Sequence, residues 1–238
     1  MPYFLIAFLL SFNTSTKNVS YTFDHLLHYE YQYAEGKEME ERFFLTNSKD
    51  NSYFADLRIV NHDSIEIRFL HHDKIMGFYK IQAKDIYEKD RFEMFCKNLS
   101  SAKNYFKFRT KEYAYHHFKD TLLKSYPGEF YVFKHKSPGI EKNLNLVRSW
   151  YRQKKGTENH MPLLTHPTAY AEWKKEKNMG NGISDLRFKE YLDEPIEREI
   201  FKLKNIIPVS KIFFYNSRCE LDSQKKEIYT KFYKVEPH

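Results

Sequence analysis

The sequence predicts a mainly β protein of the α+β type: one large curved antiparallel sheet or open half-barrel with one or two short helices. Three observations lead there. Over 53–60, Tyr53, Ala55, Leu57 and Ile59 alternate with Phe54, Asp56, Arg58 and Val60; over 65–71, Ile65, Ile67 and Phe69 alternate with Glu66, Arg68 and Leu70. A period of two sends successive side chains to opposite faces of a strand, here one buried and one wet. The breaks at 47–52, 61–64 and 72–73 carry Asn, Asp and Ser, which satisfy backbone groups locally and tolerate left-handed conformations, so 41–82 reads as successive antiparallel hairpins. Aromatic residues make up 18% of the chain, and such side chains favour half-buried pleated surfaces.

Taken in order, the chain opens on MPYFLIAFLLSF, an apolar run with no Lys or Arg before it. A bilayer span needs about 20 apolar residues, so this run is too short to cross and fits the apolar part of a signal peptide over 1–16. No cysteine follows closely, so a lipid-anchored start is not expected. The remaining 17–238 has no Gly/Pro/Ser-rich linker and reads as a single antiparallel β-rich domain, exported to the periplasm or outside the cell and not integral to a membrane.

The first long strand is expected over 23–33, with Leu27, Tyr29, Tyr31 and Tyr33 on one face, and the second over 39–46. After the 41–82 meander, 83–101 is ambiguous between a short helix and a loop feeding a strand through Phe92, Met94 and Cys96. Strand character returns over 105–115, where Phe106 and Phe108 flank Lys107. Tyr126-Pro-Gly128 reads as a turn, 129–135 as a strand, 137–139 as a break and 143–155 as a further strand. Pro167 opens the clearest helix, 167–177, with Tyr170 and Trp173 inward and Lys174, Lys175 and Lys177 at its negative end, closed by Gly180 or Gly182. Alternation resumes over 206–214 and 227–235, giving about ten strands.

Familiar catalytic and cofactor signatures are missing. With seven Gly, the chain holds neither GxGxxG nor GxxxxGK[ST], and it also lacks GxSxG and HExxH. Eleven His invite a metal, but His71-His72 and His116-His117 point to opposite faces of a strand, so no metal site and no cofactor is expected. Cys96 and Cys219 lie 123 positions apart; in an exported protein a disulfide would join them, tying the middle of the chain to its end.

Charge is uneven. The chain carries +7 overall, and 134–177 alone holds ten Lys or Arg against four Glu. Within it, Arg148, Trp150, Arg152, Lys154, Lys155, His166, Trp173 and Lys174 interleave cations with rings. That composition suits an anionic or amphipathic ligand such as a lipid, a glycan or another anionic envelope molecule. It also suits nucleic acid bound in the cytoplasm, the second choice, while a hydrolase of unrecognised type is the third.

The stretches RFFLTNSKDNSYFADL (42–57) and LLTHPTAYAEWK (163–174) resemble secreted or periplasmic β-sheet proteins of Gram-negative bacteria, of the GLPGLI-like or lipoprotein-carrier-like type. The GLPGLI hexapeptide is absent. The resemblance implies a curved antiparallel sheet with few helices and an envelope-associated binding or structural role; it transfers no site residues.

Overall fold

The computed structural model describes residues 17–34, 36–123, 126–144, 146–192 and 197–221. The apolar 1–16 and the strand expected over 227–235 lie outside them. Five strands run in succession as an antiparallel meander: β1 (Asn18–Ala34), β2 (Met39–Asn47), β3 (Asp50–Asn61), β4 (Ser64–His71) and β5 (Ile75–Gln82). A short helix α1 (Asp85–Glu88) and strands β6 (Arg91–Glu93) and β7 (Leu99–Ser101) follow. The second half holds β8 (Tyr113–Leu123), β9 (Tyr126–His135), helix α2 (Pro138–Asn143), β10 (Arg148–Gln153), helix α3 (Pro167–Glu176), β11 (Ser184–Glu190) and β12 (Glu197–Asn216).

All twelve strands belong to one open sheet in the order β7-β5-β4-β3-β2-β1-β12-β11-β10-β9-β8, antiparallel along that path, with β6 pairing parallel to β12. The two long strands β1 and β12 form its spine, paired from Asn18↔Asn216 to Ala34↔Arg198. Curvature is strong: side chains of β4 and β10 line one cleft, although six pairings separate them in the sheet order. In a flat sheet that separation would be about 29 Å at ~4.8 Å per strand.

Both faces are covered, which corrects the expectation of one wet face. On the convex side, Tyr53, Ala55, Leu57, Ile65, Ile67 and Phe69 pack with Ile86, Met94 and Leu99 from the segment after β5. On the concave side, Leu27, Tyr29, Phe44, Phe54, Leu70 and Met76 meet Leu163 and Ile183. There Tyr115, Phe133 and Tyr151 meet Leu164, Ala169, Tyr170 and Trp173 of α3 and the run before it. The connection from β10 to β11 therefore crosses the concave face and ties the two halves of the sheet together.

Several local expectations are corrected. Residues 105–115 do not start as a strand: Lys107–Glu112 is a 3-10 helix and β8 begins at Tyr113. Asn104 accounts for this, since its side-chain oxygen accepts from Phe106 N at 3.0 Å while its own N–H donates to Asp73 Oδ1 at 2.9 Å, folding the chain locally. Tyr126-Pro-Gly128 lies within β9 and is no turn; β9 meets β10 only over 131–133, so the N–H that Pro127 lacks is not needed there. The strand expected over 143–155 is confined to Arg148–Gln153, because Pro138 at the first helical turn starts α2. The ambiguous 83–101 resolves into α1, β6, a 3-10 turn Cys96–Asn98 and β7.

Helix α3 forms where the sequence places it, with His166 at its N-cap and Pro167 in its first turn. Its end is not set by glycine: Lys177 itself adopts φ 52°, and its N–H donates to Trp173 O at 2.8 Å. The Lys177 ammonium lies 3.3 Å above the Trp173 ring, a cation–π contact that compensates the left-handed backbone. The disulfide Cys96–Cys219 is present and ties the segment covering the convex face to the residues after β12.

Buried His72 makes folding pH-sensitive. Its Nε2 meets Leu164 O at 2.9 Å, which fixes the neutral ring with the proton on Nε2, and the ring stacks on Tyr170 at 4.2 Å. Burial lowers its pKa from 6.5 to about 4. The unfolded chain thus binds the extra proton between those values, so stability is full above pH 6.5 and is lost as pH falls towards 4. The expected loss is on the order of 3 kcal/mol from this residue. Urea unfolding of native protein and His72→Gln at pH 7.5 and 4.5 checks it. The variant should lose visibly less stability on acidification, and an identical loss would refute the assignment.

Candidate ligand-binding cleft

The concave face carries a cleft of about 180 Å³ lined from β2, β3, β4, β10, β11, β12 and the approach to α3. Alternation within each strand determines what enters it. Phe54, Asp56 and Arg58 share one face of β3, and Asp56 pairs directly with Arg68 across to β4. Arg187 of β11 pairs with Phe201 of β12 on one side and with Tyr151 of β10 on the other. A register shift between β11 and β12 falls at Glu199, whose φ of 51° marks a bulge; such kinks re-aim side chains, and Glu199 lines the cleft.

Arg187 is the centre of the cleft. It is buried, and its guanidinium rests against three rings, 4.0 Å from Phe201, 4.8 Å from Phe44 and 5.3 Å from Tyr29. Among the described residues no carboxylate pairs with it, and its buried Nε has no acceptor. Burial lowers its pKa, opposed by Tyr29, Tyr151, Asp56 and Glu199; an arginine stays charged through such a shift. A buried, unpaired guanidinium costs several kcal/mol, so its presence on a ring-lined floor calls for an explanation other than stability.

Around it the charge remains positive. Arg58, Arg68, Arg187 and Lys189 face Asp56 and Glu199 in the lining. Arg58 reaches Asp56 only at 3.5 Å and Arg68 reaches Glu66 only at 3.7 Å, and the Nε of both, together with Asp56 Oδ1, is buried without a hydrogen-bond partner. Burial lowers the pKa of Arg58, with Asp56 opposing and the neighbouring cations Arg42 and Arg68 adding to the shift. Lys189 is better satisfied, 2.7 Å from Glu199. His166 is open to solvent at the cleft but otherwise enclosed by protein; that enclosure, with Lys189 and His72 nearby, lowers its pKa to about 4 and leaves the ring neutral at pH 7. Clustered guanidinium groups beside aromatic faces can clamp an oxyanion bidentately and hold an apolar chain against the rings. The volume corresponds to about six waters at ~30 Å³ each, room for a head group and the start of a chain.

The residues singled out from sequence do not form one patch. His166 and Trp150 line the cleft, but the Trp150 ring stacks on Phe188 at 5.8 Å and its Nε1 donates to Glu190. Arg148 grips buried Glu141 with Nε and Nη2 at 2.9 and 2.8 Å, a structural pair. Trp173 is buried and donates Nε1–H to Gly180 O, so its ring cannot stack on a ligand. Lys155 is exposed in the turn after β10, and Lys174 is exposed over the Tyr170 ring. Arg152 and Lys154 lie on the convex side, in a wider groove of about 430 Å³ with Lys202 and Lys204. There Arg152 is paired with Asp185 at 2.8 Å and Lys204 with Glu30 at 3.3 Å, and no lining side chain is a buried orphan. The convex groove is larger, and its cations are either paired, as Arg152 and Lys204 are, or, like Lys154 and Lys202, carry no buried unsatisfied atom, whereas the smaller cleft holds buried polar atoms without partners.

Sequence reasoning missed Arg58, Arg68 and Arg187. A signal for the first two existed: Asp56, Arg58, Glu66 and Arg68 sit between apolar Phe54 and Leu70 on the strand face assigned to water. No family model, curated protein or solved structure matches the chain.

Proposed function

We propose that this chain is an exported, non-catalytic binding protein that holds an amphipathic anion in the concave cleft. The anionic head lies against Arg187, Arg58 and Arg68, and the apolar portion runs over Phe44, Phe54, Phe201 and Tyr151. The observation that carries this reading is the buried guanidinium of Arg187, seated on three rings with its Nε unpaired. An oxyanion would supply the missing acceptors in a low-dielectric site, where charge-assisted hydrogen bonds are strongest. The Cys96–Cys219 bond supports export, since disulfides persist in oxidising compartments. Among the described residues no helix is long and apolar enough to cross a membrane.

Calorimetric titration tests the reading with three probes: dodecyl phosphate below its micellar concentration, inorganic phosphate, and dodecyl maltoside. Dodecyl phosphate should bind at least about tenfold more tightly than either of the others, because only it offers both an oxyanion and a chain. Equal affinity for the maltoside would remove the arginines from the account, and equal affinity for inorganic phosphate would remove the rings.

A further inference from the structure

Away from the cleft, 103–112 (KNYFKFRTKE) carries rings that belong to no core cluster and do not line the cleft. Tyr105, Phe106 and Phe108 are 49%, 58% and 68% exposed, three large rings within four positions. Their exposure is built and not a loose end. Asn104 is buried, its N–H donates to Asp73 Oδ1 and its Oδ1 accepts from Phe106 N; Lys107 Nζ reaches Asp73 Oδ2 at 2.9 Å, and Arg109 N donates to Phe106 O. The backbone is thus folded into a short 3-10 helix that holds the rings outward.

Cations surround the rings. Lys103 lies 5.9 Å over Tyr105, Lys136 Nζ donates to Lys111 O, and α3 packs against 107–112, bringing Lys174 and Lys175 to the same end of the molecule. Asp73 pairs with Lys107, Glu112 with Arg109 and Glu176 with Lys175, but Lys103, Lys111, Lys136 and Lys174 have no carboxylate partner among the described residues. Exposed apolar rings beside ammonium groups without carboxylate partners match the two layers of an anionic membrane surface, acyl chains beneath and phosphates at the level of the cations.

From this geometry we infer that the exposed 103–112 segment docks the protein on anionic lipid bilayers, with Phe106 and Phe108 entering the interface and Lys103, Lys111, Lys136 and Lys174 contacting the headgroups. A single-stranded nucleic acid would need a positively charged groove that tracks its backbone with rings along the floor. Residues 103–112 line neither the cleft nor the convex groove, and both tryptophans are buried. The inference does not depend on what the cleft holds.

Vesicle co-sedimentation of the full chain tests it, using phosphatidylcholine vesicles with and without phosphatidylglycerol. Binding should require phosphatidylglycerol, weaken with added salt, and fall about tenfold or more in Phe106→Ser/Phe108→Ser and in Lys103→Glu/Lys111→Glu. All four positions are exposed, so the variants should unfold like the native protein and bind dodecyl phosphate unchanged. Absence of vesicle binding by the native chain would overturn the inference. So would binding that survives both double variants, or oligonucleotide binding that depends on these residues while vesicles are ignored.

Discussion

Replacing Cys96 and Cys219 together by Ala is expected to lower the stability of this protein by about 4 kcal/mol. The two cysteines are 123 positions apart, so the bond removes a long loop's worth of freedom from the unfolded chain. What it ties also matters. Between β5 and the cysteine, β6 pairs parallel to β12 through Ile212↔Arg91, Phe213↔Phe92 and Phe214↔Glu93, a register with only three positions, and Met94 N donates to Phe214 O at 2.7 Å. That short pairing helps to lay Ile86, Met94 and Leu99 on the convex core. Domains of this size are stable by only about 5–15 kcal/mol, so the loss is a large share. Urea unfolding of native and variant protein measures it, with hydrogen exchange expected to rise first across 85–98. Superimposable unfolding curves would show that the bond constrains nothing that the sheet does not already hold.

The second large effect concerns Arg187 and has two opposite signs. Arg187→Met keeps the length and apolar stem of the side chain on Phe44, Phe201 and Tyr29 while removing a buried charge that no carboxylate neutralises. Replacing buried ionic groups with apolar ones of similar volume is often stabilising, so a gain of about 1–3 kcal/mol is expected. The variant should simultaneously lose the anion. A residue kept for packing would show the reverse pattern, with stability falling and binding unaffected. Asp56 enters the balance, since its Oδ1 is already without a hydrogen-bond partner and the loss of a nearby cation removes some favourable field. That offset sets the lower end of the range.

Much of the sheet is legible in the sequence because its information is local. The alternation of 53–60 and 65–71 and the Asn/Asp turns between give β3 and β4, and Pro167 followed by Tyr170 and Trp173 gives α3. Two cysteines in a chain read as exported are enough to suggest the bond that the structure contains. What was not legible depends on contacts between distant segments. Phe106, Lys107, Phe108 and Arg109 alternate as a strand would, but Asp73, some thirty positions earlier, captures Asn104 and Lys107 and winds the chain into a 3-10 helix. The face of β3 and β4 bearing Arg58 and Arg68 looks solvated in a flat hairpin. It becomes a cleft wall only because the sheet curls until β10 and β11 face it, and no local pattern encodes that curvature. The tryptophans misled for a related reason: a ring beside lysines reads as a stacking platform, whereas Trp173 faces inward from α3 against the sheet with its N–H already used.

The most direct test of the central claim is isothermal titration of dodecyl phosphate into native protein and Arg187→Met, with thermal unfolding of both recorded on the same samples. The account predicts that the variant melts at a higher temperature and binds about a hundredfold more weakly, the loss of a buried charge-assisted pair. Undiminished affinity in a folded variant would show that the cleft's buried guanidinium is not what holds an anion, and would contradict the proposed function at its foundation.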